Sequence, residues 1–315
     1  MEEYRELFSP MKIGGTEIKN RIVMTPMGID VSNEDGTVSD RTIAYYTERA
    51  KGNAGLIITE HCRVNESDGA CATGQLSLSG DRHIAGMRKL ADAVHRDGAK
   101  FFVQLHHPGR QSVPVFPTFW PALETVSKIY PGIYGKFYAA AAKSADIDYT
   151  DPASKEQIEK MLKNMRPVKA PSIIPGEEDD GPLAAIKTAA FTTREIHALE
   201  KQFIRAAERA KKAGADGIDA SVAGTNTTFL VTETTSYEPG WRAPYVRQIK
   251  EAVSIPVIAV GVIRTPGQAE QLLKDSVQDF IGLGRPMLAD PMWAKKAALT
   301  SMSSGENSHR RRFVL

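Results

Sequence analysis

Two periodicities alternate along this chain. Short runs rich in Val and Ile are separated by longer stretches in which apolar residues return every three or four positions. The first pattern reads as a buried strand and the second as an amphipathic helix, and their strict alternation predicts a parallel βα repeat. Strands are predicted at residues 21–26 (RIVMTP), 55–60 (GLIITE), 100–105 (KFFVQL), 216–222 (DGIDASV), 255–261 (IPVIAVG) and 279–284 (DFIGLG). Helices are predicted at 41–54, 83–99, 192–214, 243–253, from 265 onward, and at 290–299. In the second helix Ile84, Met87, Leu90, Ala91 and Val94 share one face; in the third, Ile196, Leu199, Phe203, Ala206 and Ala210 form the buried stripe. Thr192 with Glu195 has capping-box spacing. Thr265 with Gln268 repeats it, and Pro266 stands at the first helical position.

The count reaches six βα units, whereas a closed (β/α)8 barrel needs eight. The predicted fold is therefore α/β, a TIM-type parallel βα barrel reduced to about six units, incomplete or distorted. Six strands must either close a narrower barrel or leave a gap with two open edges beside the 216–222 strand. Open parallel edges predict lower stability or self-association. Residues 106–192 break the rhythm with prolines, aromatics and the acidic turn PGEEDDGP. That stretch is too long for a βα loop and reads as a cap inserted after the third strand, within a single domain spanning 1–315.

Composition narrows the class. At 315 residues and 42% hydrophobic the chain can bury a full core. A net charge of +2 with mixed signs gives no nucleic-acid or membrane surface, and the terminal HRRRFVL reads as a solvated tail. Two cysteines, Cys62 and Cys71, build neither a disulfide framework nor a four-cysteine metal site. With no spanning apolar run and no signal-peptide pattern, a cytoplasmic protein without a metal is expected.

Candidate chemistry gathers at the strand ends. Gly261 closes one strand just before a well-capped helix, and Gly284 closes the next with Arg285 behind it. Backbone N–H groups there suit a phosphate, with the guanidinium adding charge; the alternative is a tight turn with a surface arginine. Gln104 can donate to and accept from the edge of a planar heterocycle, or serve as a structural hydrogen bonder. His106 and His107 suit cap anchoring or acid–base work, and Arg110 suits a substrate-side cation or loop support. Thr25, Pro26, Met27 and Gly28 combine a hydroxyl, a rigid turn and a soft floor of close backbone approach. They fit a flat aromatic ring or form a plain turn.

Together these segments resemble the old yellow enzyme family of FMN-dependent oxidoreductases. The resemblance is carried by LFSPMKIGGTEIKNRIVMTPM, GLIITE, FVQLHHPGR and IPVIAVGVI…DFIGLGRPMLADP. More narrowly, the chain resembles the N-terminal barrel of the enoate, 2,4-dienoyl-CoA and bile-acid or steroid reductase branch. The resemblance implies that Thr25, Pro26, Met27 and Gly28 lie beneath the isoalloxazine ring and that Glu60 and His61 reach the flavin through backbone and side chain. It further implies that Gln104 binds the pyrimidine edge, and that Gly261, Val262, Gly284 and Arg285 hold the phosphate. The cofactor would be FMN and the reductant NAD(P)H, with hydride passing to an activated C=C bond.

Three departures qualify that expectation. GADGI runs straight into DASVAGTN, which resembles a later strand and its loop, so two βα units are expected to be absent. The family's substrate-anchoring pair, its tyrosine and its N1 cation would go with them, leaving no catalytic residue to name. The sixth-strand loop, which bears a catalytic histidine in dienoyl reductases, reads AGTNTTF with Thr225 near that position. The tail has no cysteine cluster for the iron–sulfur and dinucleotide domains of multidomain relatives. Three readings follow: an ene-reductase for an apolar enone or enoate, a catalytically impaired flavin-binding remnant, or a barrel lyase or isomerase using only the phosphate site. The cap aromatics Phe116, Phe119, Trp120, Tyr130, Tyr134, Phe137 and Tyr138 suit a bulky apolar substrate or packing of the cap on itself or on a second copy. His107 and Arg110 are the weak candidates for touching that substrate.

Overall fold

A computed structural model describes residues 3–72, 74–109, 112, 122, 126, 156, 160, 164–170, 187–222 and 237–303, without the side chains of 220–222 and 302–303. The chain opens with an antiparallel hairpin, β1 (Met11–Ile13) and β2 (Thr16–Ile18), turned at Gly14 with φ +58°. Then come β3 (Ile22–Met24), α1 (Asp40–Lys51), β4 (Leu56–Arg63), α2 (Ile84–Arg96) and β5 (Lys100–His107). Two short strands, β6 (Val168–Ala170) and β7 (Thr188–Ala190), pair parallel to each other apart from the main sheet. The repeat resumes with α3 (Thr193–Lys212), β8 (Gly217–Val222), α4 (Ala243–Ala252), β9 (Ile258–Ala259), α5 (Pro266–Lys274) and β10 (Phe280–Leu283). It closes with the short α6 (Arg285–Ala289) and α7 (Trp293–Ser303).

The main sheet has six strands in the order β8-β5-β4-β3-β10-β9, every pair parallel. The order is that of a βα barrel read from its first strand in both directions: β3 pairs forward with β4 and backward with β10. All six predicted strands are present, and the predicted gap has a location. β8 pairs with β5 along its whole length, Phe102 opposite Gly217 through His107 opposite Val222, so it occupies a fourth-strand position. Among the described residues β8 and β9, consecutive in sequence, do not pair. The break in pairing among the described residues therefore does not cut through β8. β9 is also shorter than the predicted 255–261 strand, as befits an edge with only one neighbour.

Two apolar layers follow from the strand alternation. Val23, Leu56, Ile58, Phe102 and Phe280 fill the concave side, joined by Ile18 and by Met11 and Ile13 of the hairpin. That hairpin, which the strand count overlooks, plugs the N-terminal end of the sheet. On the convex side Ile22, Met24, Ile57, Phe101, Val103, Ile281 and Leu283 meet the helices through Tyr46, Met87, Leu90, Val94, Ala206 and Trp293. The two predicted caps form, Thr192 with Glu195 and Thr265 with Gln268 each closing a capping box, and Ser39, not predicted, caps α1. One expectation fails at the gap. Ile196, predicted in the buried stripe of α3, is 37% exposed, and Ile204 and Ile218 are also exposed. All three lie on α3 or edge strand β8, where a further βα unit would cover them. No described helix is long and apolar enough to cross a membrane.

Candidate active site at the strand ends

The C-terminal ends of β3, β4, β5, β8, β9 and β10 share one rim, because all six strands run parallel. β3 continues into Thr25, whose N–H donates to the Leu283 carbonyl at 3.2 Å. Two glycines of the β10 end let this segment settle closely. A Cβ at Gly282 would stand 2.8 Å from Thr25 Cγ2, and one at Gly284 would stand 3.4 Å from Met27 Sδ and 3.6 Å from Thr25 Oγ1. On the other side a Cβ at Gly28 would meet His61 Cε1 at 2.7 Å. Thr25, Met27, Gly28, His61 and Gly284 are thus brought together as the sequence predicts, with Pro26 between them.

Glu60 is placed differently from its expected role. Its carboxylate is fully buried, and Oε2 accepts from the N–H groups of Ile29 at 2.9 Å and Asp30 at 3.0 Å. Its own N–H donates to the Tyr46 hydroxyl at 2.7 Å. The side chain is thereby committed to the turn after β3. Burial pushes its carboxyl up to about 7, against the lowering effect of the two backbone N–H bonds. Asp30 sits in that turn with φ +48°, a left-handed conformation that an aspartate tolerates better than most residues.

His61 faces the rim. Its Nε2 lies 4.0 Å from Asp30 Oδ1, and its ring meets that of His106 edge-on at 5.2 Å. Burial lowers the His61 pKa, with Asp30 opposing, and raises that of Asp30, with His61 opposing. Burial also pushes His106 down to about 4, helped by His61 and His107. His106 is therefore a neutral imidazole near neutral pH. Its buried Nδ1 has no hydrogen-bond partner among the described residues, which leaves it available to a bound molecule. His107 anchors a loop: Nδ1 accepts from the Gly109 N–H at 3.1 Å, and Nε2 lies 3.4 Å from Asp68.

Gln104 stands opposite His61 in the β4–β5 register and on the concave side with Phe102. Its amide nitrogen donates to Asp219 Oδ2 at 2.6 Å, which turns the NH2 group toward β8 and leaves the carbonyl oxygen for another donor. Asp219 escaped the sequence reading. The signal was the pairing of DGIDASV beside KFFVQL, which puts Asp219 opposite Gln104.

At the far end of the rim Gly261 is buried with φ +156°, and Val262 follows with φ +54°, a left-handed backbone that a β-branched residue adopts only under strain. Gly284 precedes α6, and Arg285 at its start is exposed. Gly261 and Val262 follow the end of β9 as Gly284 and Arg285 follow that of β10, on neighbouring strands. Arg110, Thr225 and the cap aromatics lie outside the described residues. No cluster of three or more His, Cys, Asp or Glu among the described residues is placed to hold a metal.

A flat heterocycle suits this rim: glycines allow a close floor, an oriented amide stands at one side, and the buried His106 Nδ1 has no partner among the described residues. Glycines at the ends of the last two strands, with Arg285 behind the second, suit an anion. The class so defined is the flavin-dependent βα barrel, and sequence relationships make the family definite. The family model described as NADH:flavin oxidoreductase / NADH oxidase family matches residues 6–165 and 231–301, more than half of the chain. A "NADH oxidase" of Thermoanaerobacter brockii is 34% identical over 342 residues, covering 94% of this chain and 51% of that protein. An "NADPH dehydrogenase" of Listeria innocua is 30% identical, covering 94% of this chain and 95% of that protein. The solved old yellow enzyme homologue of Zymomonas mobilis shares the fold, with TM-score 0.63, 18% identity, and coverage of 94% of this chain and 93% of that one. The chain belongs to the NADH:flavin oxidoreductase / NADH oxidase family, the old yellow enzyme family, whose members are FMN-dependent oxidoreductases served by NAD(P)H. It spans about half the length of the first two curated relatives it matches.

Proposed function

We propose that this chain binds FMN across the rim and acts as an ene-reductase, with NAD(P)H as reductant and an activated C=C bond of an apolar enone or enoate as acceptor. The observation that carries the reading is the seating of Thr25–Gly28 on the β10 glycines beside His61, with Gln104 oriented by Asp219. When bound, FMN supplies a two-electron relay between the nicotinamide and the alkene. Thr25, Pro26, Met27 and Gly28 form the floor that holds its ring flat. The carbonyl oxygen of Gln104 would accept a hydrogen bond from the cofactor, and His106 Nδ1 would be a further acceptor. Gly261, Val262, Gly284 and Arg285 receive the phosphate, with the exposed Arg285 guanidinium supplying charge. His107 holds the Asp68 loop beside the rim, where it would border the substrate.

A second reading, a flavin-binding remnant with impaired turnover, is favoured by the gap. β8 and β9 do not pair among the described residues, and the family match breaks off at 165 and resumes at 231. The alignment to the Thermoanaerobacter relative runs over more residues than this chain has, so it must skip residues of that relative. Among the described residues β8 and β9 each pair with one strand, which also supports a homo-oligomer. Anaerobic NADH or NADPH oxidation by the purified protein, with and without an enone, separates the readings. Enone-dependent oxidation supports the ene-reductase. A protein that binds FMN but shows no such oxidation is the remnant. A protein that cannot take up FMN contradicts both, and would leave a lyase or isomerase built on the phosphate site.

A further inference from the structure

The buried carboxylate of Glu60 has no role in the chemistry above, yet its hydrogen bonds are specific. Oε2 takes two consecutive backbone N–H groups, those of Ile29 and Asp30, and Oε1 has no partner among the described residues. What this side chain holds is therefore the turn after β3. The turn contains Asp30 with its left-handed backbone, and a Cβ at Gly74 would stand 2.4 Å from the Asp30 carbonyl oxygen, so the turn is braced from outside as well. One residue upstream is Gly28, pressed against His61, the next residue of β4 after Glu60. The end of β4 thus grips the turn at two points, through Glu60 on the backbone and His61 on Gly28. Met27 and Thr25, packed on Gly284, follow directly from this grip.

We propose that Glu60 is a positioning residue: by fixing the Ile29–Asp30 turn it sets the height and tilt of the Thr25–Gly28 floor on which the flavin ring rests. The proposal rests on the flavin-site reading, and two readouts keep the two apart. The first is hydrogen–deuterium exchange of the Ile29 and Asp30 amides in the flavin-free protein. The second is FMN affinity, from quenching of flavin fluorescence on titration.

In Glu60→Ala, compared above pH 7 where the carboxylate is charged, the two amides should exchange about tenfold faster or more, because both lose a charged acceptor. Exchange in β10, at Ile281, should stay as in the wild type. The Kd for FMN should rise by about tenfold, the same order as the lost grip. Glu60→Gln, which keeps an acceptor oxygen of the same reach, should restore most of the protection and most of the affinity. Equal exchange in wild type and Glu60→Ala would overturn the proposal. So would exchange that accelerates alike at Ile29, Asp30 and Ile281 in both variants, because that marks a global loss of stability. Lost protection with unchanged FMN affinity would show that the turn does not set the floor. If the wild type itself binds no FMN, the flavin reading falls, and with it the proposal, whatever the exchange data say of the turn.

Discussion

Replacing Gly282 with alanine tests whether the floor and the phosphate end of the rim depend on one close approach. The added Cβ would lie 2.8 Å from Thr25 Cγ2, 2.8 Å from Val260 Cγ1 and 2.9 Å from the Ala259 carbonyl oxygen. Comfortable carbon contacts begin at about 3.5 Å, so all three neighbours must retreat by more than half an ångström. One is backbone, and the other two sit at the ends of β3 and beyond β9, on opposite sides of β10. No rotamer change relieves all three, which puts the cost at the upper end of overpacking, about 3 kcal/mol. For a domain of this size that lowers Tm by about 5 °C. The retreat separates Thr25 of the floor from Gly261 of the phosphate site, so FMN affinity should fall by about tenfold. Differential scanning calorimetry and flavin titration check both numbers. Gly267→Ala is the control: no atom lies within 4 Å of its Cβ position, early in α5, so about 0.5–1 kcal/mol of added stability is expected there. If Gly282→Ala melts within about a degree of the wild type and binds FMN equally well, the packing argument for the rim is wrong.

Three further outcomes follow from the same structure. Arg63 is fully buried, with Nε and Nη2 on Glu66 Oε2 and further bonds to the Gln75 and Asp35 carbonyls; Arg63→Met should cost about 3–5 kcal/mol in urea unfolding, and a loss under about 1 kcal/mol would contradict that role. Gln104→Glu sets a second carboxylate against Asp219 at the present 2.6 Å contact; FMN binding should weaken by about tenfold at neutral pH and recover as the pH falls, because one of the two acids must take a proton. The raised value of Glu60 makes stability pH-dependent: the folded state keeps a proton that the unfolded chain has lost, so this contribution is complete below 4.5 and is lost as the pH rises through about 7. It amounts to about 3 kcal/mol, so the stability of the wild type relative to Glu60→Gln should drop by that much across the window, and a constant difference would refute the assignment.

The strands and helices were legible because buried parallel strands and amphipathic helices differ in period, and the capping residues Thr192 and Thr265 mark their starts without tertiary help. The N-terminal hairpin was not, because three-residue strands around Gly14 and Gly15 carry too little pattern to stand out. The count of six strands was visible in the sequence, and among the described residues the sheet has six, with β8 and β9 at its two ends. Its consequence for Ile196 was not visible, because helical periodicity assumes a neighbour on every apolar face. At the site, the glycine and strand-end positions named from the sequence lie on one rim, with Thr25, Met27, Gly28, His61 and Gly284 close together. Asp219 was hidden because its role depends on which strand lies beside Gln104. The family resemblance set Glu60 and His61 together at the flavin through backbone and side chain, and the irregular register between Ile58 and His61, where β4 bulges against β5, cannot be seen in the residues alone. That bulge lets Glu60 bond the turn while His61 faces the rim.

The central claim is that a βα sheet in which β8 and β9 do not pair among the described residues still assembles a working flavin platform. The visible absorption spectrum of the purified chain after reconstitution with FMN and removal of free flavin tests it most directly. The claim predicts a yellow protein whose flavin band is shifted from that of free FMN, bleaches on anaerobic addition of NADH or NADPH, and retains one flavin per chain. A chain that remains folded yet colourless after reconstitution would contradict it.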